Sequence, residues 1–132
     1  MISEDFDIPD RLLFTEDYLW VDLKKGKAKI GLTPIILRRW GQLRAVELPR
    51  VGEEVSRGQI IGSIEARKTR RDLYAPISGL IENVNRRAQE DVNIISSDPY
   101  GEGWLLIIEP VDLEAELGYC LTAKQFAEFL RR

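Results

Sequence analysis

The segment SIEARKTRRDLYAPISG, residues Ser63 to Gly79, places one lysine between two runs of β-favouring residues. Lys68 follows Glu65 by three positions and precedes the strand-like run Arg71–Ala75, which ends in a turn rich in Pro, Ser and Gly. This pattern predicts that Lys68 lies in the connection between two strands, with its side chain in water. Because most surface lysines are solvated charges without a special role, the rest of the chain must decide what Lys68 does.

Length and composition indicate one globular domain. The chain has 132 residues, of which 44% are hydrophobic and 31% are charged, values far from those of disordered chains. We therefore predict a single domain over residues 1–132, which is a common domain size. The net charge of −3 comes from acidic and basic residues mixed along the length. Such a chain lacks the extended basic field that nucleic acids bind, so no nucleic-acid partner is expected.

The lengths of the apolar runs and the N-terminal residues predict a cytoplasmic protein with no membrane partner. The longest apolar runs, such as Leu105–Ile108, are far shorter than the roughly 20 residues of a membrane span. Residues Met1–Asp10 are acidic, unlike a secretory signal peptide.

The chain is poor in residues that perform chemistry. It contains no histidine and a single cysteine, Cys120, which excludes histidine-based triads, imidazole metal sites and an internal disulfide. The carboxylates are scattered and form no short acid–base pair. We therefore expect a carrier or binding protein rather than an enzyme, with no catalytic residue and no metal site of its own.

Hydrophobic alternation and turn residues predict a mainly β fold with one short helix after the first hairpin and helices at the C-terminus. The hairpin pairs Tyr18–Leu23 with Lys27–Leu32, and the short helix runs to Trp40, with Thr33 as its N-cap and Gly41 after its end. Further strands are predicted at Arg44–Leu48, Gln59–Ile64, Arg71–Ala75, Gly79–Val84 and Trp104–Glu109. Asn85–Ile95 is predicted as loop or irregular helix, and the last two helices as Asp112–Gly118 and Thr122–Leu130.

Read together, several segments resemble the glycine cleavage system H-protein family, a group of lipoyl carriers in the biotinyl/lipoyl domain superfamily. The segments are ELPRVG, IEARKT, LYAPISG, VN and SDPYGEGWLLIIEP, within Tyr18–Pro110. The resemblance implies a lipoyl-type barrel-sandwich hybrid that acts as a non-catalytic carrier. It also implies lipoate in amide linkage to Lys68, a lysine flanked here by Arg67 and Thr69, whereas biotinyl domains place theirs between two methionines.

The resemblance assigns roles to neighbours of this lysine. Glu65 matches an acid that helps the lipoate-attaching enzyme to accept the lysine, and Asp72 matches an acid near the groove where the arm docks. Three arginines near the lysine carry positive charge, and we expect them to contribute to partner docking: Arg67, Arg70 and Arg71.

The family resemblance also implies partners and cargo. In glycine cleavage the arm shuttles an aminomethyl group between glycine decarboxylase, aminomethyltransferase and dihydrolipoamide dehydrogenase. The chain departs from the family where His-Glu-Trp is usual, because Tyr18-Leu19-Trp20 stands there. A leucine cannot accept a hydrogen bond from an aminomethyl amine. A second hypothesis is therefore an H-like lipoate-binding protein that carries sulfur intermediates for a heterodisulfide-reductase-like complex. A third is an unlipoylated interaction scaffold.

Overall fold

The computed structural model describes residues 2–3 and 6–132. Residues 1, 4 and 5, which the single-domain prediction includes, lie outside the described residues. The strands in chain order are β1 (Ile2–Ser3), β2 (Phe6–Asp7), β3 (Leu13–Phe14), β4 (Leu19–Lys24), β5 (Lys27–Leu32), β6 (Leu43–Glu47), β7 (Glu54–Val55), β8 (Ile60–Ala66), β9 (Arg70–Tyr74), β10 (Gly79–Val84) and β11 (Leu106–Pro110). The helices are α1 (Ile35–Arg39), α2 (Arg86–Glu90), α3 (Asn93–Ser97), α4 (Leu113–Glu116) and α5 (Ala123–Leu130), with a 3-10 turn at Leu117–Tyr119. Within the described ranges, no helix is long and apolar enough to cross a membrane.

Two antiparallel sheets share one hydrophobic core. The larger sheet has the strand order β3-β4-β5-β11-β10-β7, and the smaller has the order β6-β8-β9. The short strands β1 and β2 pair with each other. Both sheets contribute fully enclosed side chains, among them Trp20, Ile30, Ile64 and Leu73. Burial of an apolar side chain of this size stabilises the fold by about 1.5–3 kcal/mol. The predicted mainly β fold of the barrel-sandwich type is confirmed.

The first hairpin forms where the sequence predicts it. β4 pairs with β5 so that Lys24 lies opposite Lys27, and the turn between them has φ of 52° at Lys25 and 76° at Gly26. Two successive positive φ values are typical of the tight turn that matches the twist of a two-stranded ribbon. The strand begins one residue later than predicted, because Tyr18 itself has a φ of 68° and is not extended.

The short helix α1 follows the hairpin as predicted, but Thr33 does not cap it. No side chain accepts a hydrogen bond at this N-terminus. The Thr33 hydroxyl instead donates to the Tyr18 carbonyl at 2.8 Å and ties the helix entrance to the start of β4. Gly41 follows the helix with a φ of 86°, the left-handed conformation that glycine adopts readily at this position.

The segment predicted as loop or irregular helix folds into α2 and α3. Asn85 begins α2 by accepting a hydrogen bond from the Ala88 N–H at 3.3 Å. Its side-chain amide donates to the Glu102 and Trp104 carbonyls at 2.8 and 2.7 Å. Asn85 therefore links this segment to the turn before β11. Trp104 is only partly buried and packs against the core, and the strand predicted from Trp104 begins at Leu106.

The C-terminal helix α5 packs on strand β3. As predicted, Thr122 begins the helix, and it forms a reciprocal capping box with Gln125. Phe126 is fully buried and stacks on Phe14, with 4.7 Å between ring centroids and 6° between planes. Leu121 exchanges two backbone hydrogen bonds with Phe14, of 2.8 and 2.7 Å, so the chain end is tied to the larger sheet.

Candidate functional site

The lysine singled out by the sequence lies at the tip of the hairpin formed by β8 and β9. These strands are paired from Ile60↔Tyr74 to Glu65↔Arg70. The tip consists of residues 67–69 and is closed by a hydrogen bond of 2.8 Å from the Ala66 N–H to the Thr69 carbonyl. Lys68 is exposed there, so the predicted position between two strands is confirmed.

The backbone of this tip is held by the segment that follows α1. The Lys68 N–H donates to the Trp40 carbonyl at 2.9 Å, and the Arg67 N–H donates to the Gln42 carbonyl at 2.8 Å. Both acceptors lie next to the left-handed Gly41. The backbone of the tip is therefore fixed by two hydrogen bonds to the segment after α1, while the Lys68 side chain is exposed.

Gly41 makes this close approach possible. A Cβ at this position would lie 3.2 Å from the Arg67 Cβ and 3.5 Å from the Lys68 Cγ. The sequence marks Gly41 only as the residue after a helix and gives no sign of its contact with the tip. The helix-ending glycine is visible in the sequence, but the packing of the two loops depends on how the sheets face each other.

Beside the tip, charged residues alternate along the outer face of the smaller sheet. Glu65 on β8 is exposed and lies opposite Arg70 on β9. Asp72, two residues further along β9, has a carboxylate oxygen 3.9 Å from the Arg70 guanidinium. The ion pair between Arg70 and Asp72 is exposed and weak, which leaves both side chains accessible to another molecule.

A cleft of about 320 Å³ opens next to the hairpin. Its lining residues come from the segment before β4, from the end of α1 and from β9: Glu16, Asp17, Tyr18, Trp40, Arg70, Arg71, Asp72 and Tyr74. The Arg71 guanidinium lies 5.0 Å from the centre of the Trp40 ring, and the Tyr18 ring packs edge-on against Trp40 at 5.5 Å. The cleft thus has an aromatic floor with charged groups at its rim.

Asp17 is the carboxylate whose ionisation the cleft changes. Partial loss of hydration raises the pKa of Asp17, the neighbouring charge of Glu16 raises the same pKa, and Arg71 lowers it. Burial is the largest of these effects. Asp17 and Glu16 were not predicted as site residues, since nothing in their sequence context separates them from other surface acids.

The residue that departs from the family pattern does not line this cleft. Leu19 is 1% exposed and belongs to the core, whereas Tyr18 before it reaches the cleft. The expectation that the leucine removes a contact from the arm's pocket therefore does not apply to this cleft. Tyr18 has a positive φ and lies just before the strand that begins at Leu19.

Other candidate sites lie elsewhere. A larger cavity, of about 620 Å³, is lined by the edge of β7 and β10 and by residues 109–111, and does not include the hairpin tip. Cys120 is buried, and burial raises the pKa of its thiol, so it is suited to packing rather than redox chemistry. Across residues 2–3 and 6–132, no cluster of three or more His, Cys, Asp or Glu side chains could hold a metal ion.

The site can support covalent attachment of a group to Lys68. An exposed primary amine is the nucleophile that an activated carboxylic acid acylates, and its backbone is held in one position. The adjoining cleft could accommodate part of an attached chain. The residues present therefore fit an amide-linked prosthetic group such as lipoate.

Two facing antiparallel sheets with an exposed lysine at a hairpin tip define a barrel-sandwich domain of the lipoyl type. The crystal structure of a glycine cleavage system H protein from Mycobacterium marinum is similar, with a TM-score of 0.85 and 37% sequence identity, covering 94% of this chain and 99% of that one. The family described as "Glycine cleavage H-protein" matches residues 12–132. The chain therefore belongs to the glycine cleavage H-protein family.

Curated relatives agree with this family over nearly their full length. The glycine cleavage system H protein of Bifidobacterium longum (strain NCC 2705) is 39% identical over 127 residues, which cover 96% of this chain and 90% of the relative. The protein of the same name from Geobacillus sp. (strain WCH70) is 35% identical over 123 residues, which cover 93% and 96%.

Proposed function

We propose that this protein is the lipoyl carrier of a glycine cleavage system, with lipoate in amide linkage to Lys68. The observation that carries the proposal is the position of Lys68: exposed at a hairpin tip whose backbone is pinned by the Trp40 and Gln42 carbonyls, in a member of this family. Bound lipoate would supply the disulfide that a chain with one buried cysteine lacks.

The protein's own residues present and orient the modified lysine. The pinned tip gives the attaching enzyme one fixed target, and a swinging side chain raises the local concentration of its reactive end near a docked enzyme. Glu65, exposed three residues before Lys68, is available for recognition by the attaching enzyme. Asp72 lies in the cleft wall, and we propose that it contacts the arm there.

The proposed partners are a lipoate-attaching enzyme, glycine decarboxylase, aminomethyltransferase and dihydrolipoamide dehydrogenase, all in the cytoplasm. The cargo would be the aminomethyl group. The comparisons give no support to the alternative in sulfur oxidation. The scaffold alternative predicts an unmodified lysine and is decided by the experiment that follows.

The first experiment is peptide mass spectrometry of the protein purified from its native cell or co-expressed with a lipoate ligase and lipoate. We expect a single lipoyl increment on Lys68. Lys68→Arg should abolish it without loss of stability, because the side chain is exposed. Lys124→Arg, on the exposed face of α5, is the matched control and should leave modification complete.

Modification on a different lysine, or none on Lys68 when a known carrier in the same cell is fully modified, would contradict the proposal. Activity is the second readout: lipoylated protein should restore glycine cleavage to the purified partner enzymes, and the Lys68→Arg variant should not.

A further inference from the structure

The tip of the lysine hairpin is surrounded by exposed arginines. Four of them, here called the arginine face, are Arg44, Arg67, Arg70 and Arg71. Arg67 precedes the lysine in the tip, Arg70 starts β9, and Arg44 lies in the irregular stretch where β6 passes β8 near Glu65. Arg71 lies over the Trp40 ring on the cleft side. The arginine face therefore flanks Lys68 on both sides of the hairpin.

These arginines have fewer ion pairs with carboxylates than several other arginines of the chain. Arg11, Arg57 and Arg87 each have a carboxylate partner, at 3.1, 3.6 and 3.4 Å respectively. Within residues 2–3 and 6–132, Arg44, Arg67 and Arg71 form no ion pair, and Arg70 has only the 3.9 Å contact to Asp72. Most guanidinium groups of the arginine face are thus free of a direct ion pair within the described part of the chain and can bind carboxylates of another molecule, although Asp17 lies near enough to Arg71 to attract it and the whole molecule has a net charge of −3.

The chemistry of the arginine face favours carboxylates on a protein surface. The four cations of this face are all arginines, whose planar guanidinium can bind a carboxylate through two parallel hydrogen bonds. Glu65 and Asp72 lie among the arginines. They would repel a polyphosphate backbone, whereas a protein partner can meet them with its own mixed charges. Any enzyme that admits the Lys68 arm must place the rim of its active-site entrance against this face.

We propose that the arginine face docks on an acidic rim around the active-site entrance of the enzyme that receives the arm, which on the proposed function is glycine decarboxylase. This inference rests on that proposed function. It adds that the partner surface is rich in Asp and Glu, and that complementary charge sets the association rate.

The test measures association of lipoylated protein with glycine decarboxylase of the same organism by stopped flow, at roughly 20 and 200 mM NaCl. The test variant combines Arg44→Gln, Arg67→Gln and Arg70→Gln, and retains Arg71 because its guanidinium packs on Trp40. The matched control removes the same number of charges by combining Arg50→Gln, Arg86→Gln and Arg87→Gln, exposed residues of α2 and of the segment after β6. Arg86 lines a cavity with Leu48–Val51, beyond the end of β6 remote from the hairpin.

At low salt we expect the test variant to associate about tenfold more slowly than wild type and to lose most of the salt dependence. The control should behave as wild type, and circular dichroism should show all three proteins equally folded. Equal rates and salt slopes for test variant and wild type, or equal losses in test variant and control, would overturn the inference. Binding of the wild-type protein to a duplex DNA oligonucleotide at 200 mM salt would also overturn it, in favour of a polyanion partner.

The two proposals fail in different ways. If wild type is lipoylated at Lys68 and is used by the decarboxylase while the test variant matches it, the docking inference fails and the carrier function stands. If wild type is not lipoylated or is not used by the decarboxylase, the carrier proposal fails and the docking inference fails with it.

Discussion

At the scale of single residues, Gly41 determines how closely the segment after α1 can approach the lysine tip. Its φ of 86° is costly for any residue with a Cβ, by about 1–2 kcal/mol. A Cβ would in addition crowd the Arg67 Cβ at 3.2 Å. The glycine therefore serves both the helix end and the position of the functional hairpin.

We predict that Gly41→Ala lowers the free energy of unfolding by more than these 1–2 kcal/mol and slows lipoylation, because the tip must move away from the new methyl group. Gly58→Ala is the control: its φ is 85°, but nothing lies within 4 Å of the position that its new methyl group would take. Urea unfolding and the initial rate of lipoylation measure the two effects. Equal changes in both variants would show that the contact with the tip has no consequence.

Asp17 gives a prediction about pH. Burial raises the pKa of its carboxyl in the folded protein, so folding favours the protonated form. That stabilisation is fully present below the unfolded pKa and is lost as the pH rises through the folded pKa. At neutral pH the ionised Asp17 carboxylate therefore lowers the free energy of unfolding slightly.

Asp17→Asn removes the ionisation and should raise the free energy of unfolding at pH 7 by roughly 0.5 kcal/mol or less, because water screens a carboxylate this exposed. The gain should disappear near pH 3.5. Urea unfolding at both pH values, with the exposed Asp10→Asn as control, measures it. A loss of stability at pH 7 would mean instead that the attraction between Asp17 and Arg71 dominates.

At the scale of elements, local patterns predicted most of what formed. The Lys25-Gly26 turn, the alternation along Gly79–Val84 and the Thr122 cap each depend on residues close in sequence, and each was found where expected. Thr33 does not accept a capping hydrogen bond, and its hydroxyl instead donates to the distant Tyr18 carbonyl. Local chemistry makes a threonine before a proline resemble a cap, but tertiary structure decides which partner it has.

The candidate site likewise has one part that could be predicted from local sequence and another part that could not. Lys68 and its exposed tip could be predicted, since two strands and a turn define them. The two carbonyls that hold the tip belong to Trp40 and Gln42, and one wall of the cleft is formed by Glu16 and Asp17. These residues precede Lys68 by 26 to 52 positions in the sequence. No periodicity in the chain indicates which loop will meet the hairpin, because that depends on how the two sheets stack.

At the scale of the whole molecule, α5 and both sheets are expected to unfold as one unit. The helix is remote in sequence from the hairpin, yet Phe126 stacks on Phe14 of the larger sheet, and the Arg39 guanidinium donates to the Leu130 carbonyl at 3.0 Å. The end of α1, which leads directly into the segment that holds the lysine tip, is thereby linked to α5. Cooperative unfolding follows from such shared contacts.

We predict that Phe126→Ala lowers the free energy of unfolding by about 3–5 kcal/mol, the usual cost of removing a fully buried phenylalanine. Phe129→Ala, three residues on and only half buried, should cost clearly less. Urea unfolding is followed by circular dichroism, and by fluorescence of Trp20, Trp40 and Trp104, none of which lies in α5. Both signals should shift to the same lower midpoint. A fluorescence midpoint that stays at the wild-type value while the dichroism midpoint falls would show that α5 unfolds separately and that the single-domain prediction is wrong.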